Sequence, residues 1–157
     1  MAGGVSPDSV KRLILAFGVL LLAACGGGPM TPDRKDPVSV TRAFVEAFNA
    51  RDLQRMLPLH DQVNIDAIAA ALSGGVDSPE YEAIFAPEMV LLLAKEGGKV
   101  EGPRYDRRDA VVQVGSNEDG DVYTVILSKD ENDEWSIVAH SRMGKQQFDA
   151  LPSEPKK

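Results

Sequence analysis

The sequence predicts an α+β fold, with N-terminal helices packed on an antiparallel sheet in a single domain. Two observations carry this. Between residues 36 and 98, apolar residues recur at helical spacing and the breaks fall at proline and Gly-Gly pairs. From Val100 onward the texture changes to short β-branched runs separated by turn signals. Helices first and a meander afterwards is the α+β order. Residues 36–144 hold this pattern without an internal repeat, a length sufficient for one core.

Each element has its own local reason. Asp36-Pro37 supplies an N-cap acceptor followed by proline at the first helical position, and Val40, Phe44, Ala47 and Phe48 then share one face. A short second helix follows Asp52, with Leu53, Met56 and Leu57 together until Pro58 interrupts. Ile65 to Leu72 forms a third, stopped by Gly74-Gly75. Ser78-Pro79 opens a fourth carrying Tyr81, Ile84 and Phe85; Pro87 breaks it before Met89 to Ala94, and Gly97-Gly98 ends it. Val100 to Tyr105 reads as an edge strand, followed by strands at Ala110 to Val114, Val122 to Ser128 and Trp135 to Ser141. Asp119-Gly120 and the charged run Lys129 to Glu134 make the two hairpin turns. Residues 145–157 are polar with two prolines and are expected to be a disordered tail.

Ahead of the domain stands LILAFGVLLLAACGGG, directly after Lys11-Arg12. The run is shorter than the roughly 20 apolar residues a spanning helix needs. A basic segment, a short apolar stretch and small residues at its end read as a secretory signal peptide over 1–24. Val10 before Lys11-Arg12 would make a tidier start than Met1, whose leader is long and carries Asp8. Leu22-Ala23-Ala24-Cys25 resembles the lipobox of bacterial lipoproteins. The resemblance implies that Leu22, Ala23 and Ala24 are read by the signal peptidase. It further implies a diacylglycerol on the Cys25 thiol, an N-acyl chain on the new terminus (palmitate being a usual acyl group), and no other cofactor. A thiol is the side chain here most readily alkylated, and several acyl chains anchor stably where one does not. Gly26 rather than Asp after the cysteine favours, by the same resemblance, the outer membrane of a diderm cell, facing the periplasm. Residues 25–35 are glycine- and proline-rich and read as a flexible tether.

Composition narrows the partners. The chain has 17 Lys and Arg against 24 Asp and Glu, a net charge of −7. Removing the leader with Lys11, Arg12 and Asp8 leaves about −8, which repels nucleic acid and anionic lipid headgroups alike. The lipid anchor is then the expected membrane contact, with an envelope protein or a small molecule as the other partner. Cys25 is the sole cysteine, so no internal disulfide is expected.

PVSVTRAFVEAFNARDLQRMLPL, with its Ala50-Arg51-Asp52-Leu53 corner, resembles the first helical hairpin of the nuclear-transport-factor-two-like superfamily, which includes ketosteroid-isomerase-like and polyketide-cyclase-like enzymes. EGGKVEG and GDVYTVILSKDENDEWSIVAH resemble its later half. The likeness covers most of 37–143 and fits worst over 59–78, where an alanine-rich helix stands in place of a first strand. It implies a strongly curved, cone- or cystatin-like sheet wrapped around helices, with a cavity inside.

Few residues carry recognisable chemistry. His60 and Asp61 are adjacent near the end of the second helix, an acid–base pair by type. Neighbours on a helix point apart, however, so they make poor partners for one proton. His140 lies in the last strand on the side of Ser136 and Val138, opposite Trp135, Ile137 and Ala139. These three are the candidate polar residues of a cone; no catalytic constellation is found. Two histidines 80 residues apart and a lipidated thiol argue against a zinc site. The acidic loops Asn117 to Asp121 and Asp130 to Glu134 lack EF-hand spacing and read as turns. Arg104, Arg107 and Arg108 form the one basic cluster, and Trp135 reads as a core anchor. The expectation is a non-enzymatic envelope module for binding or accessory work. The alternatives are a small-molecule carrier or isomerase- or cyclase-like enzyme using the cone, and a protein-binding or inhibitor-type lipoprotein.

Overall fold

The Asp36 carboxylate accepts from the Val38 amide at 2.9 Å, and with Pro37 in the first turn it starts helix α1 (Pro37–Asn49) where the sequence predicts. Val40, Phe44, Ala47 and Phe48 form its inward stripe, each at most 2% exposed. Burying each large side chain contributes about 1.5–3 kcal/mol, so this one helix anchors the core. The structure is a computed structural model and describes residues 31–85 and 100–156. Leu22 to Cys25 and the expected helix at Met89 to Ala94 lie outside the described residues.

After α1 the chain turns at Arg51, whose backbone is left-handed at φ 53°. Its carbonyl accepts from the Tyr81 hydroxyl. Asp52 caps α2 (Leu53–Met56) by accepting from the Arg55 amide at 3.1 Å. Pro58 then tightens the chain into a 3-10 turn, Leu57–Leu59. The third helix starts earlier than its apolar pattern implied: α3 spans Gln62–Gly74, because Asp61 is its N-cap, and it ends at Gly75 with φ 83°. Ser78 caps α4 (Pro79–Ile84) as expected, its hydroxyl accepting from the Tyr81 amide at 3.1 Å.

The sheet is a meander of β1 (Glu101–Asp106), β2 (Asp109–Ser116), β3 (Asp121–Lys129) and β4 (Trp135–Gly144), each antiparallel to the next. Both hairpin turns from β2 to β4 are held by side chains of their own. Asn117 Oδ1 accepts from the Asp121 amide at 2.9 Å, and Gly120 takes φ 85°. Asp130 Oδ1 accepts from the Asn132 and Glu134 amides at 2.8 and 2.9 Å.

One sheet face carries Val112, Val114, Val125, Leu127, Trp135 and Ile137 into the helical layer. Trp135 is a core anchor, as its type suggested. The other face presents Val111 and Val122, with Met143 packed beside them, to Phe148. Phe148 comes from α5 (Lys145–Ala150), which corrects the expectation of a disordered tail from residue 145. The apolar ring, with Leu151 packed beside the same cluster, docks an otherwise mostly polar run. Beyond the helix, the Tyr105 amide donates to the Pro152 carbonyl at 2.8 Å and the Lys156 amide to that of Arg107 at 3.1 Å, covering the outer edge of β1.

The end of the expected tether is likewise docked. The Trp135 amide donates to the Arg34 carbonyl at 2.8 Å, and the Arg34 guanidinium reaches Ser136 Oγ at 2.8 Å and the Pro58 carbonyl. Lys35 Nζ donates to the Asn132 carbonyl at 2.7 Å. The outer edge of β4 is further occupied at Ile137, whose carbonyl accepts from the Asp61 amide at 2.9 Å, beside a parallel bridge to His60.

Each of the three strand pairs carries a register shift, the first between Glu101 and Arg104 of β1, and the other two bend β4 and β2. Ile126 pairs with Ala139 but Leu127 with Ile137, leaving Val138 as a bulge in β4. Gln113 pairs with Thr124 but Gly115 with Tyr123, leaving Val114 as a bulge in β2. Each extra residue bends its strand and increases the local twist.

Candidate functional site

The bulge at Val138 decides the site. Strict alternation puts His140 opposite Ile137, on the face away from the helices. An extra residue between them reverses the parity, so His140 pairs across from the core residue Val125 and faces the helical layer. Its ring lies 5.0 Å from that of Phe44 on α1, centre to centre.

His60 arrives from the other direction. The 3-10 turn at Pro58 carries it off α2 and the bridge to Ile137 fixes it beside β4, where it is only 5% exposed. Its Nδ1 lies 2.9 Å from the Met56 carbonyl. A carbonyl can only accept, so Nδ1 carries the proton and Nε2 of the neutral ring is a bare acceptor. The His60 ring is 5.7 Å from Phe44, edge to face, and 6.0 Å from His140. Two residues 80 positions apart in the chain therefore share one apolar wall, and distance in sequence was no guide to distance in space.

Asp61 does not join them. Its Oδ1 accepts from the Asn64 amide at 3.1 Å and from Asn64 Nδ2 at 2.6 Å, and Asn64 Nδ2 also donates to the Val138 carbonyl at 3.1 Å. The carboxylate caps α3 and, through Asn64, ties that helix to the bulge. The expectation of Asp61 as a polar residue of the cavity is corrected to a capping and positioning role.

Around the two histidines lies a cleft of about 300 Å³. Phe44 and Phe48 of α1, Met56 of α2, Asn64, Ala67 and Ile68 of α3, and Ala83 and Ile84 of α4 line it. The aromatic and aliphatic members escaped notice as site residues because their spacing reads equally well as core. Asn64 had a usable signal, since Asp61 three residues ahead of it just before an apolar run is an N-cap pattern.

Electrostatics follow from the wall. Desolvation lowers the His60 pKa, opposed by the Met56 hydrogen bond and the Asp61 charge. Desolvation also lowers His140, to about 4, and repulsion from His60 adds to it. Solvent still reaches His140, an exposed residue at the cleft mouth, which softens the first of these causes. Both rings are neutral near neutral pH.

The remaining candidates are less free. The carboxylate of Asp130 is turned onto backbone amides, which hold its pKa below the ordinary value. Asp133 pairs with Lys129 at 2.6 Å. A second, wider groove of about 700 Å³ beside Trp135 takes in Arg108, Lys35 and Lys129, but Asp109, Asp130 and Asp133 stand among them. Arg107 is exposed at the β1–β2 turn. Among the described residues there is no group of three or more His, Cys, Asp or Glu able to hold a metal ion, and no helix long and apolar enough to cross a membrane.

No family model, curated protein or solved structure matches this chain.

Proposed function

We propose that the chain is a bacterial envelope lipoprotein, acylated at Cys25, whose domain binds a small, mostly apolar molecule. The observation that carries the binding reading is the cleft: an apolar wall on which His60 and His140 converge, with Nε2 of His60 left as an acceptor without a partner among the described residues. Ligand sites commonly combine an apolar lining with a few convergent polar groups. The cone-like architecture suggested by resemblance to the nuclear-transport-factor-two-like superfamily is supported by helices on one sheet face and by the two bends at Val114 and Val138.

Binding is favoured over catalysis by the state of the polar groups. Lowered pKa values make both histidines weak bases, and the neighbouring carboxylate of Asp61 is engaged in capping. The inhibitor-type alternative needs an exposed sheet face or edge, and its edge form needs one that is open to pairing. The docked residues along β1 and the first half of β4 weigh against it.

Two measurements test the reading. Cys25→Ser in the full chain moves the protein from the membrane fraction to the soluble one; unchanged membrane association overturns the anchor. Native mass spectrometry of the full chain, after exposure to an extract of the host envelope, gives a discrete small-mass adduct. A bare chain, or a protein-sized adduct alone, overturns the small-ligand reading in favour of an accessory module.

A further inference from the structure

Resting on that binding reading, we infer that the cleft selects an uncharged, ring-sized apolar molecule that presents a hydrogen-bond donor, an N–H or O–H, to Nε2 of His60.

The argument turns on which way each polar atom of the cleft can bond. The His60 Nδ1 proton is committed to the Met56 carbonyl at 2.9 Å, which fixes the tautomer and leaves a lone pair at Nε2. Nε2 has no hydrogen-bond partner among the described residues. Asn64 lines the same cleft, and its Nδ2 is already donated to Asp61 and to the Val138 carbonyl, so its free atom is the carbonyl oxygen, a second acceptor. Two of the three polar groups on the described walls thus offer lone pairs. The third, His140, stands 6.0 Å from His60 at the open mouth and can present either a proton or a lone pair.

Such a surface discriminates by sign. A carboxylate or phosphate brings only lone pairs to meet lone pairs, and none of the described lining residues is Lys or Arg. An ether or a tertiary amine leaves Nε2 unsatisfied against Phe44, and an unpaired buried polar atom is costly. A neutral N–H or O–H satisfies it. Desolvation on the Phe44 wall keeps His60 in the neutral form on which this depends. A volume of about 300 Å³ accommodates one small fused ring system.

The test uses three probes of one shape and different polar character: indole, N-methylindole and indole carboxylate. Each is titrated into the full-length chain at neutral pH, with the histidine side-chain nitrogens observed by NMR. The expected result is that indole binds about tenfold or more tighter than N-methylindole, that the carboxylate binds weakest, and that the His60 Nε2 resonance moves on adding indole. In His60→Phe the indole preference shrinks to about twofold or less while both neutral probes still bind. Should that variant not fold, the Nε2 shift in the unaltered chain decides. Equal binding of indole and N-methylindole, or tightest binding of the carboxylate, overturns the donor inference and leaves an apolar binding cleft standing. Binding of none of the three also overturns it, while the envelope-extract adduct judges the binding reading separately.

Discussion

The Asp130 turn and the histidine cleft hold polar groups in opposite ways. In the turn, acidic residues are clustered in sequence, and the oxygens of two of them are taken up locally: Asp130 accepts two backbone amides and Asp133 meets Lys129. In the cleft, the polar groups come from the His60 turn, α3 and β4, and they retain unused hydrogen-bonding capacity against an apolar wall. Density of charge in a sequence marks a place where the chain satisfies itself. Convergence of isolated polar residues from distant elements marks a place where something else can be satisfied.

The largest effect on this contrast comes from removing the wall. Phe44 is fully buried and touches both histidine rings. Phe44→Ala is expected to lower the unfolding free energy by about 3–5 kcal/mol in urea titrations. A loss under about 1 kcal/mol would mean that the cleft is separable from the core.

A smaller effect is expected at Asp61. Asp61→Ala removes an N-cap and costs about 1 kcal/mol, while Asp61→Asn, which keeps an acceptor, costs less. Because the Asn64 amide loses its short bond to Asp61, the cleft gains a donor and its preference for donor ligands weakens. An unchanged preference would show that Asn64 takes no part in recognition.

The smallest effects are in pH, and they fall in two windows. Both histidines have pKa values below the ordinary 6.5 in the folded chain. The unfolded chain therefore binds more protons as the pH falls, and the folded state loses stability. The His140 contribution is complete above about 6.5 and is lost as the pH falls toward about 4, and His60 acts in the same direction. Around them, the Asp61 charge and the Met56 carbonyl oppose the lowering, and Phe44 supplies the apolar face. Asp130 is lowered from 3.8 by its backbone bonds, so its contribution is present above 3.8 and is lost only below it. Urea midpoints followed against pH should show both steps, with His140→Phe flattening the upper and Asp130→Asn the lower. A single step below 3.8 in every variant would place the histidines in ordinary solvent.

Much of the fold was legible because its signals are local. Asp36-Pro37, Asp52 and Ser78-Pro79 each start a helix through their own side chain or ring, and Asp119-Gly120 turns a hairpin. The α1 stripe follows from spacing alone. The site was legible only in its residue types. His60 and His140 stand out as the two histidines, yet the bulge at Val138 that turns His140 inward is a matter of pairing with β3, and no residue in WSIVAH announces it. Asp61 was placed by adjacency to His60 and belongs instead to the helix it begins. Phe148 and Arg34 sit in stretches that look like linkers by composition; an apolar ring and a guanidinium, joined by a few backbone hydrogen bonds, dock them.

The docked edges of the sheet also bear on how copies of this chain meet one another. Pro152 lies along β1 with Lys156 at the turn that follows it, and Arg34, His60 and Asp61 lie along the first half of β4, occupying backbone groups that a foreign strand would otherwise pair with. Acylated chains on one membrane leaflet would share a thin layer, where encounters are far more frequent than in bulk solution. An open edge there would zip neighbouring sheets into fibrils. If the chain is anchored as proposed, straps from the two ends of the domain would let crowded copies collide and part.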